Sequence, residues 1–340
     1  MFVNYLEKIV ARKNLSLEEM ETAMNIIMEG RATDSQLAGF LVGLSMKGET
    51  IEEITAAARV MRDKAIAIKS DKLLIDSCGT GGDCKGTFNI STTVALLMAA
   101  AGLNVAKHGN RSVSSKSGSA DLLEALGINI NLAPEQAEQC LDEIGIAFLF
   151  APYFHKAMKY AAGPRRELGL RTIFNILGPL TNPARTKYQI LGVYDPELVY
   201  PLAAVLKNLG VESAMVVHGA GGIDEFSLAG ENKVAYLRNG DIEEFYIGPE
   251  EVGLQRTGLG ELMGGTADKN RDITLAILKG ERGAKRDVVL FNAAAAFLVS
   301  GLADDWQKGI ELAAETIDSG RALKKLDEMI EFTNSLEVVL

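Results

Sequence analysis

The feature that most constrains the fold is a change of pattern at Leu73. Before it, three Ser/Thr-x-x-Glu/Gln capping boxes follow one another, at Ser16 with Glu19, Thr33 with Gln36, and Thr50 with Glu53. In such a box each of the two side chains accepts a hydrogen bond from a free N–H at a helix N-terminus. Gly30 and Gly48 stand where the first two of these helices would end. Residues 1 to about 68 are therefore predicted to be wholly helical.

After Leu73, short apolar strands alternate with helical segments. The strand-like stretches are LLIDSCG, NVAKHG, AFLF, YQILGVY and SAMVVHG, and KVAYLRNGDIEEFYI predicts a hairpin turned at Asn239-Gly240. Such alternation predicts a mostly parallel sheet with helices on both faces. The expected fold class is α/β. A small all-helical N-terminal domain (1–70, with a later contribution from about 165–187) accompanies a larger α/β domain (71–340).

The charge of the chain restricts its partners. It carries 35 Lys+Arg against 45 Asp+Glu, a formal net charge of −10. Nucleic acids and membrane surfaces attract proteins with a broad positive field, so neither is expected as a partner, and an anionic ligand needs a local site. Three scattered cysteines make no zinc spacing with three histidines, and no leader or membrane-spanning stretch is recognisable. We expect reduced thiols and a cytoplasmic protein.

The stretch DSCGTGGDCKGTFNIST is a candidate phosphate loop. Its first three glycines expose backbone N–H groups to an approaching anion; they are Gly79, Gly81 and Gly82. Ser91 and Thr92 begin the next predicted helix, where the dipole favours negative charge. Two familiar templates fail, since Cys84 replaces a small residue of the dinucleotide fingerprint and Lys85-Gly86-Thr87 disrupts the P-loop order. The alternative to a phosphate-binding loop is a tight turn that only connects the strand to the helix.

A second loop carries only positive charge. From Lys107 to Ala120 the chain has three cations, no acid, and otherwise mostly Gly, Ser and Asn. Lys107 ends the second predicted strand, beside the first glycine-rich loop, and ligands of such sheets bind beyond the carboxyl ends of the strands. Two adjacent donor-rich loops favour a polyphosphate site over a mobile surface loop.

Two further stretches contribute charge. Asp224 and Glu225 follow the strand SAMVVHG. Adjacent acids are typical of a solvated turn, but beside a polyphosphate they are ligands that Mg²⁺ prefers, with Ser91 as a further candidate. Arg165 and Arg166 follow a Gly-Pro pair. They form either a solvated helix face or a site for the carboxylate of a second substrate.

Taken together, these stretches resemble the anthranilate phosphoribosyltransferases of the tryptophan pathway. The matching stretches, in order, are GTGGD at 79–83, NIST at 89–92, KHGNRSVSSKSGSADLLEALG at 107–127, the acidic pair at 224–225 and RTIFNILGPLTNPA at 171–184. The resemblance covers essentially the whole chain. It implies the fold of the pyrimidine nucleoside phosphorylases and a homodimer formed through the helical domain. It also implies Mg²⁺ as cofactor and transfer of phosphoribose from phosphoribosyl pyrophosphate to the amine of anthranilate.

The same resemblance assigns the site residues. It implies catalytic roles for Lys107, Arg165 and Asp83. It implies metal ligands at Ser91, Asp224 and Glu225. It implies contacts to anthranilate from Gly79, Asn110, His155 and Arg165, although Lys156 follows His155 where the family has Pro. It implies that phosphoribosyl pyrophosphate is bound by Gly79, Gly82, Asp83, Thr87, Asn89, Ile90, Ser91, Thr92, Lys107, His108, Gly109, Asn110, Arg111, Ser112, Val113, Ser114, Ser115 and Ser119.

The implied chemistry is consistent with these residue types. Departure of pyrophosphate leaves positive charge on the ribose ring and negative charge on the leaving group, which Mg²⁺, Lys107 and N–H groups stabilise. The aromatic amine is neutral at pH 7, so no nucleophile–base pair is required, and direct displacement with inversion is expected. The alternatives are a nucleoside phosphorylase, in which the acidic pair would repel free phosphate, and a catalytically silent nucleic-acid-binding relative, which the net charge opposes.

Overall fold

The computed structural model describes residues 2–112 and 116–336. The chain begins with four helices, α1 Phe2–Val10, α2 Leu17–Met28, α3 Asp34–Lys47 and α4 Ile51–Lys64. All three predicted capping boxes are formed, at the starts of α2, α3 and α4. Residues 65–73 are not helical, so the helical run ends four residues before the predicted limit of about 68.

The strands of the described chain form one seven-stranded sheet in the order β3-β2-β1-β4-β5-β6-β7. They are β1 Leu74–Gly79, β2 Asn104–Gly109, β3 Ile146–Phe150, β4 Tyr188–Gly192, β5 Ser213–His218, β6 Asn232–Arg238 and β7 Asp241–Ile247. The first five strands pair in parallel, while β6 and β7 form the predicted antiparallel hairpin. Asn239 and Gly240 turn this hairpin with φ of 54° and 82°, the left-handed values that a two-residue turn needs. The expected α/β class with a mostly parallel sheet is confirmed.

Helices cover both faces of this sheet. The remaining helices are α5 Ile90–Ala100, α6 Ser119–Ala125, α7 Pro134–Glu143, α8 Ala151–Phe154, α9 Lys159–Leu168, α10 Ile173–Leu180, α11 Val199–Asn208, α12 Ala267–Leu278, α13 Ala284–Ser300, α14 Trp306–Asp318 and α15 Arg321–Ser335. Successive residues of β4 face opposite cores: Ile190 lies in the core with α5 and α13, and Leu191 in the core with α11 and the N-terminal helices. Among the described residues, none of the helices has the length and apolar character required to cross a membrane.

Helices α9 and α10 pack against the N-terminal helices although they follow β3 in the chain. A buried arginine joins this group to the α/β layer, because Arg62 on α4 donates from Nε to Leu180 O (2.7 Å) and from Nη1 to Leu209 O (3.2 Å). Those two carbonyls lie at the C-terminal ends of α10 and α11, where a cation is favoured. Burial nevertheless lowers the pKa of Arg62 to about 10.

The parallel ladder between β1 and β2 opens toward the carboxyl edge of the sheet. The two strands pair only at Leu74 with Asn104 and Ile75 with Val105. Beyond that point the Asn182 amide, which follows α10, donates to both Asp76 Oδ2 and Ala106 O, each at 2.7 Å. A side chain therefore replaces the missing strand-to-strand hydrogen bonds, and the gap holds the Lys107 side chain.

Candidate functional site

The glycine-rich segment between β1 and α5 is shaped by its backbone conformation. Gly81, Gly82 and Gly86 have φ of 66°, 75° and 70°, and Cys84 has φ of 56°, so the loop makes repeated left-handed turns. These values favour glycine because a Cβ would be strained there. Gly79 is required for another reason. A Cβ at Gly79 would lie 2.3 Å from Asp224 Oδ2.

The acidic pair after β5 is inserted into this region and is not a solvated turn. The Gly81 N–H donates to Asp224 Oδ2 at 2.7 Å, and the Ser91 N–H donates to Glu225 Oε1 at 3.0 Å. Glu225 is only 9% exposed. The backbone also packs closely, since a Cβ at Gly192 would lie 1.6 Å from Asp224 O. The acidic pair therefore meets both the glycine-rich loop and the N-terminus of α5.

Lys107 brings the second predicted loop to the same place. Its side chain is 4% exposed, and its Nζ donates to Ser77 O at 2.5 Å and to Ser91 Oγ at 3.3 Å. The ammonium thus crosses the opening between β2 and β1 and reaches the first turn of α5. Below it, burial raises the pKa of the Asp76 carboxyl to about 6 against the opposing effect of Lys107. The glycine-rich segment 79–92, Lys107 and the pair Asp224-Glu225 therefore lie together.

The surroundings of these carboxylates disfavour their charged forms. Burial, followed by repulsion from Asp83, raises the pKa of Asp224 to about 6. Burial and repulsion from Asp224 raise the pKa of Glu225 to about 8, although Lys107 opposes the rise. Asp83 Oδ2 is buried without a hydrogen-bond partner in the described chain. Within residues 2–112 and 116–336, no group of three or more His, Cys, Asp or Glu side chains is arranged to hold a metal ion by itself. Mg²⁺ is commonly bound by one or two carboxylates together with substrate phosphates and waters, and the pair Asp224-Glu225 fits that kind of site.

The N-terminus of α5 is joined to the second loop by an amide network. Asn89 donates from Nδ2 to Ser117 O at 3.1 Å and accepts at Oδ1 from Asn270 Nδ2 at 2.8 Å. Asn270 lies on α12 and is 1% exposed. Sequence reasoning predicted Asn89 but missed Asn270 and Ser117. Asn270 carries no local signal, because it reaches the site from 181 positions along the chain.

Several predicted ligands of phosphoribosyl pyrophosphate face other protein groups. Arg111 forms ion pairs with Asp121 (3.0 Å) and Glu124 of α6, so the acids absent from 107–120 follow immediately and neutralise it. The Ile90 side chain is buried, which leaves mainly its backbone for a ligand. Thr87 pairs with Met263 through a backbone bridge that does not involve its hydroxyl. Among the remaining assigned residues, Thr92 is buried in α5, and Gly109 ends β2 beside Ser119. Two others bond within the protein: the Ser112 N–H donates to Asp121, and Ser119 Oγ donates to Asn110 O. Val113, Ser114 and Ser115 lie outside the described residues.

Two histidines assigned from the sequence lie together. The rings of His108 and His155 have centroids 5.0 Å apart, and both side chains are buried. Burial lowers the pKa of His108 to about 3, with a smaller effect from His155, and lowers that of His155 to about 4. Neither Nε2 has a hydrogen-bond partner in the described chain. Both rings are therefore neutral at pH 7, and each keeps one buried ring nitrogen without a hydrogen-bond partner among the described residues.

Arg165 and Arg171 have different surroundings. Arg165 on α9 lies over the Phe174 ring at 5.1 Å, and burial lowers the pKa of its guanidinium. This guanidinium has no hydrogen bond or ion pair with the described residues. Arg171 begins the stretch 171–184 that carries the family resemblance, but the sequence assigned it no role in the site. It donates to Gly82 O and lies over the Tyr194 ring at 4.3 Å. Arg171 is therefore the cation that contacts the glycine-rich loop from this segment, and Arg165 is left available for another anion.

Comparison with known proteins agrees with this architecture. The family model described as "Glycosyl transferase family, a/b domain" matches residues 71–323, and the one described as "Glycosyl transferase family, helical bundle domain" matches residues 3–65. An anthranilate phosphoribosyltransferase of Petrotoga mobilis is 63% identical over 340 residues, which cover 99% of this chain and 98% of that protein.

Solved structures agree as well. The crystal structure of anthranilate phosphoribosyltransferase from Thermus thermophilus superposes with a TM-score of 0.92 and 43% identity, covering 97% of this chain and 99% of that one. The Saccharomyces cerevisiae enzyme in complex with PRPP and Mg gives a TM-score of 0.91 at 28% identity, with 98% of each chain covered. The chain therefore belongs to the anthranilate phosphoribosyltransferases of the glycosyl transferase family.

Proposed function

We propose that the protein transfers phosphoribose from phosphoribosyl pyrophosphate to the amine of anthranilate, in tryptophan biosynthesis, with Mg²⁺ as cofactor. The products are N-(5-phosphoribosyl)anthranilate and pyrophosphate. The observation that carries this proposal is the meeting of the glycine-rich loop, Lys107 and the pair Asp224-Glu225 at one site. Membership of the family supports it, as does the yeast relative that binds PRPP and Mg.

The leaving group is pyrophosphate, so the site must stabilise growing negative charge. Mg²⁺, held by Ser91, Asp224 and Glu225, would supply part of that stabilisation when bound. Lys107 supplies a fixed positive charge, because Ser77 O and Ser91 Oγ hold its ammonium in place before substrate arrives. Backbone N–H groups of the glycine-rich loop add further donors, apart from those of Gly81 and Ser91, which are already bound to the acidic pair. Such preorganised charge needs no rearrangement at the moment of reaction.

The second substrate needs positioning more than activation. The anthranilate amine is neutral at pH 7 and attacks directly, with inversion and no covalent enzyme intermediate. Arg165 is proposed to bind the carboxylate, since its guanidinium has no competing acid among the described residues. Gly79 and Asn110 are proposed to contact the substrate as well, together with neutral His155. Holding both substrates in register supplies much of the remaining acceleration.

The two rival functions fit less well. Free phosphate, the substrate of a nucleoside phosphorylase, would be repelled by the Asp224 carboxylate unless a cation lay between them, because Asp224 stays ionised at pH 7 with its pKa raised to about 6. Nucleic-acid binding conflicts with the formal net charge of −10 and with the ion-paired state of Arg111. The transferase reaction instead uses the acidic pair, as ligands of its metal ion.

We also propose that the protein is a homodimer that works in the cytoplasm. The helical unit, residues 1–70 completed by about 165–187, would form the interface, and residues 71–340 would bind phosphoribosyl pyrophosphate. Exposed apolar side chains on α1 and α3 support the interface, with Val10 79% and Met46 72% exposed. Free thiols at all three cysteines are consistent with a reducing compartment.

Sedimentation equilibrium tests the oligomer. We expect twice the chain mass of 36.5 kDa at micromolar concentration. Val10→Glu with Met46→Glu should shift the protein toward the monomer, because charge is disfavoured in an apolar interface. Glu substitution at the exposed Tyr246, on the far hairpin, is the control. A wild-type chain that sediments as a monomer contradicts the dimer.

The fluorescence of anthranilate tests the reaction. Purified protein with Mg²⁺ and phosphoribosyl pyrophosphate should extinguish this fluorescence as the amine is substituted, and a chelator should stop the loss. A parallel reaction with inosine or thymidine and phosphate tests the phosphorylase alternative. Release of free base from either nucleoside, with no loss of anthranilate, would refute the proposed transfer.

Replacement of Arg165 tests the anthranilate site. Arg165→Ala should lower kcat/KM for anthranilate roughly 10- to 150-fold, since a charge-assisted hydrogen bond contributes about 1.5–3 kcal/mol. Arg166→Ala is the matched control, because Arg166 is the adjacent arginine and its side chain is exposed. Steady-state rates at saturating phosphoribosyl pyrophosphate measure both variants. Equal kcat/KM in the two variants removes Arg165 from the substrate site.

Replacement of the acidic pair tests the metal site. Asp224→Asn and Glu225→Gln should each raise the Mg²⁺ concentration for half-maximal rate by at least ~10-fold. Replacing a residue that only orients a metal ligand already weakens metal affinity by about that factor, and a ligand itself should matter at least as much. Glu231→Gln, an exposed acid later in the same loop, is the control. Magnesium titrations of the initial rate provide the measurement. A titration curve that stays at the wild-type position in both amide variants excludes them as ligands.

A further inference from the structure

One buried helix contains a polar residue that its surroundings do not favour. Helix α13 runs through the core, and its stretch Val288–Val299 reads VVLFNAAAAFLV. Asn292 is the polar side chain in this apolar stretch and is 1% exposed. Burying an amide without partners costs about 1–3 kcal/mol, so its hydrogen bonds explain its presence.

Two of those hydrogen bonds join Phe226, a residue of the loop after β5 that carries Asp224 and Glu225 and is called the acidic loop below. Asn292 Oδ1 accepts from the Phe226 N–H at 3.0 Å, and Asn292 Nδ2 donates to Phe226 O at 2.9 Å. The second amide proton goes to Val288 O of the same helix at 2.8 Å. A single side chain thus satisfies both backbone groups of Phe226, as a neighbouring strand would do.

Phe226 directly follows Glu225. Its N–H belongs to the same planar peptide unit as the Glu225 carbonyl, so the bond to Asn292 sets the orientation of that unit. The Phe226 ring is fully buried against Phe291 (centroids 5.0 Å apart) and Trp306 (5.6 Å), which anchors the same point from its side chain.

The other side of the acidic pair is held by close backbone packing. A Cβ at Gly219 would lie 2.1 Å from Glu225 O, and a Cβ at Gly192 would lie 1.6 Å from Asp224 O. The backbone of the pair is therefore confined between glycines on one side and Asn292 on the other. Two adjacent buried carboxylates repel each other, so this confinement keeps them close together when no cation is bound.

We propose that Asn292 is a positioning residue for Asp224 and Glu225, and that it sets the affinity of the site for its divalent cation by fixing the peptide between Glu225 and Phe226. This inference rests on the proposed role of the acidic pair as metal ligands. Asn292 touches neither substrate nor metal in this role. It acts through the backbone, as residues that orient metal ligands do in other metal sites.

The variants are Asn292→Ala and Asn292→Ser. Both lose the two bonds to Phe226, but a serine can still donate to the carbonyl of Val288 in its own helix, so it is the milder replacement. Thr333→Ala is the matched control. Thr333 lies on α15 and is also fully buried. Its hydroxyl donates to Met329 O (2.8 Å) and accepts from the Asn129 N–H (3.2 Å), and neither partner belongs to the loop that carries Asp224 and Glu225. The Thr333→Ala substitution therefore removes buried hydrogen bonds but leaves those of the acidic loop in place.

Two readouts separate positioning from general destabilisation. The first is binding of Mn²⁺, as a probe for the cation, followed by electron paramagnetic resonance in the presence of phosphoribosyl pyrophosphate. The second is the Mg²⁺ concentration for half-maximal rate. Both Asn292 variants should weaken Mn²⁺ binding and raise the Mg²⁺ requirement roughly 10- to 100-fold. The KM for anthranilate at saturating Mg²⁺ should stay within about 2-fold, and Thr333→Ala should match wild type in both readouts.

The outcomes distinguish this inference from the proposed function. If Asp224→Asn and Glu225→Gln bind Mn²⁺ as wild type does, the metal assignment fails and the role of Asn292 fails with it. If those amides weaken Mn²⁺ binding but the folded Asn292→Ser variant does not, the positioning role is overturned and the metal assignment stands. A loss of Mn²⁺ affinity shared by Thr333→Ala also overturns it, because general destabilisation would then explain the result.

Discussion

The structure depends on burying two adjacent carboxylates against backbone atoms. Asp224 and Glu225 accept hydrogen bonds from the N–H groups of Gly81 and Ser91, and these bonds draw the glycine-rich loop and α5 onto the loop after β5. The contact is possible because Gly79 and Gly192 lack a side chain where the pair approaches. Burial raises the pKa of both carboxyls, so the arrangement is costly until a cation neutralises it. A site organised in this way is prepared for a ligand that brings positive charge together with phosphates.

The open ladder between β1 and β2 makes room for this arrangement. Regular pairing would have closed the carboxyl edge of the sheet and left no space for the Lys107 side chain. The Asn182 amide instead bonds to both strands, and Lys107 crosses to Ser77 O and Ser91 Oγ. Because Asn182 follows α10, which packs on the N-terminal helices, these helices and the carboxyl edge of the sheet are mechanically connected.

Much of the site was predictable because its parts are local. The glycine-rich loop, Lys107 and the acidic pair each follow a strand, and strands of a parallel sheet end at one edge. Partners chosen across the chain were not predictable. The sequence did not predict the ion pairs that Arg111 forms with acids of α6, nor the hydrogen bond that Arg171 donates to Gly82 O. An asparagine inside an apolar helix was a visible signal at Asn292, yet its partner could not be named without the packing of α13.

The sequence by itself determined the capping boxes, the strand–helix alternation, the hairpin at Asn239-Gly240 and the chemical types of the site residues, because all of these depend on neighbours a few positions away. Only the tertiary structure decided which carbonyls Lys107 and Asn182 would bond, how deeply Glu225 would be buried, and that two neutral histidines would lie 5.0 Å apart. Those outcomes depend on how separate elements pack. Burial and long-range hydrogen bonding arise only when distant segments of the chain exclude water together.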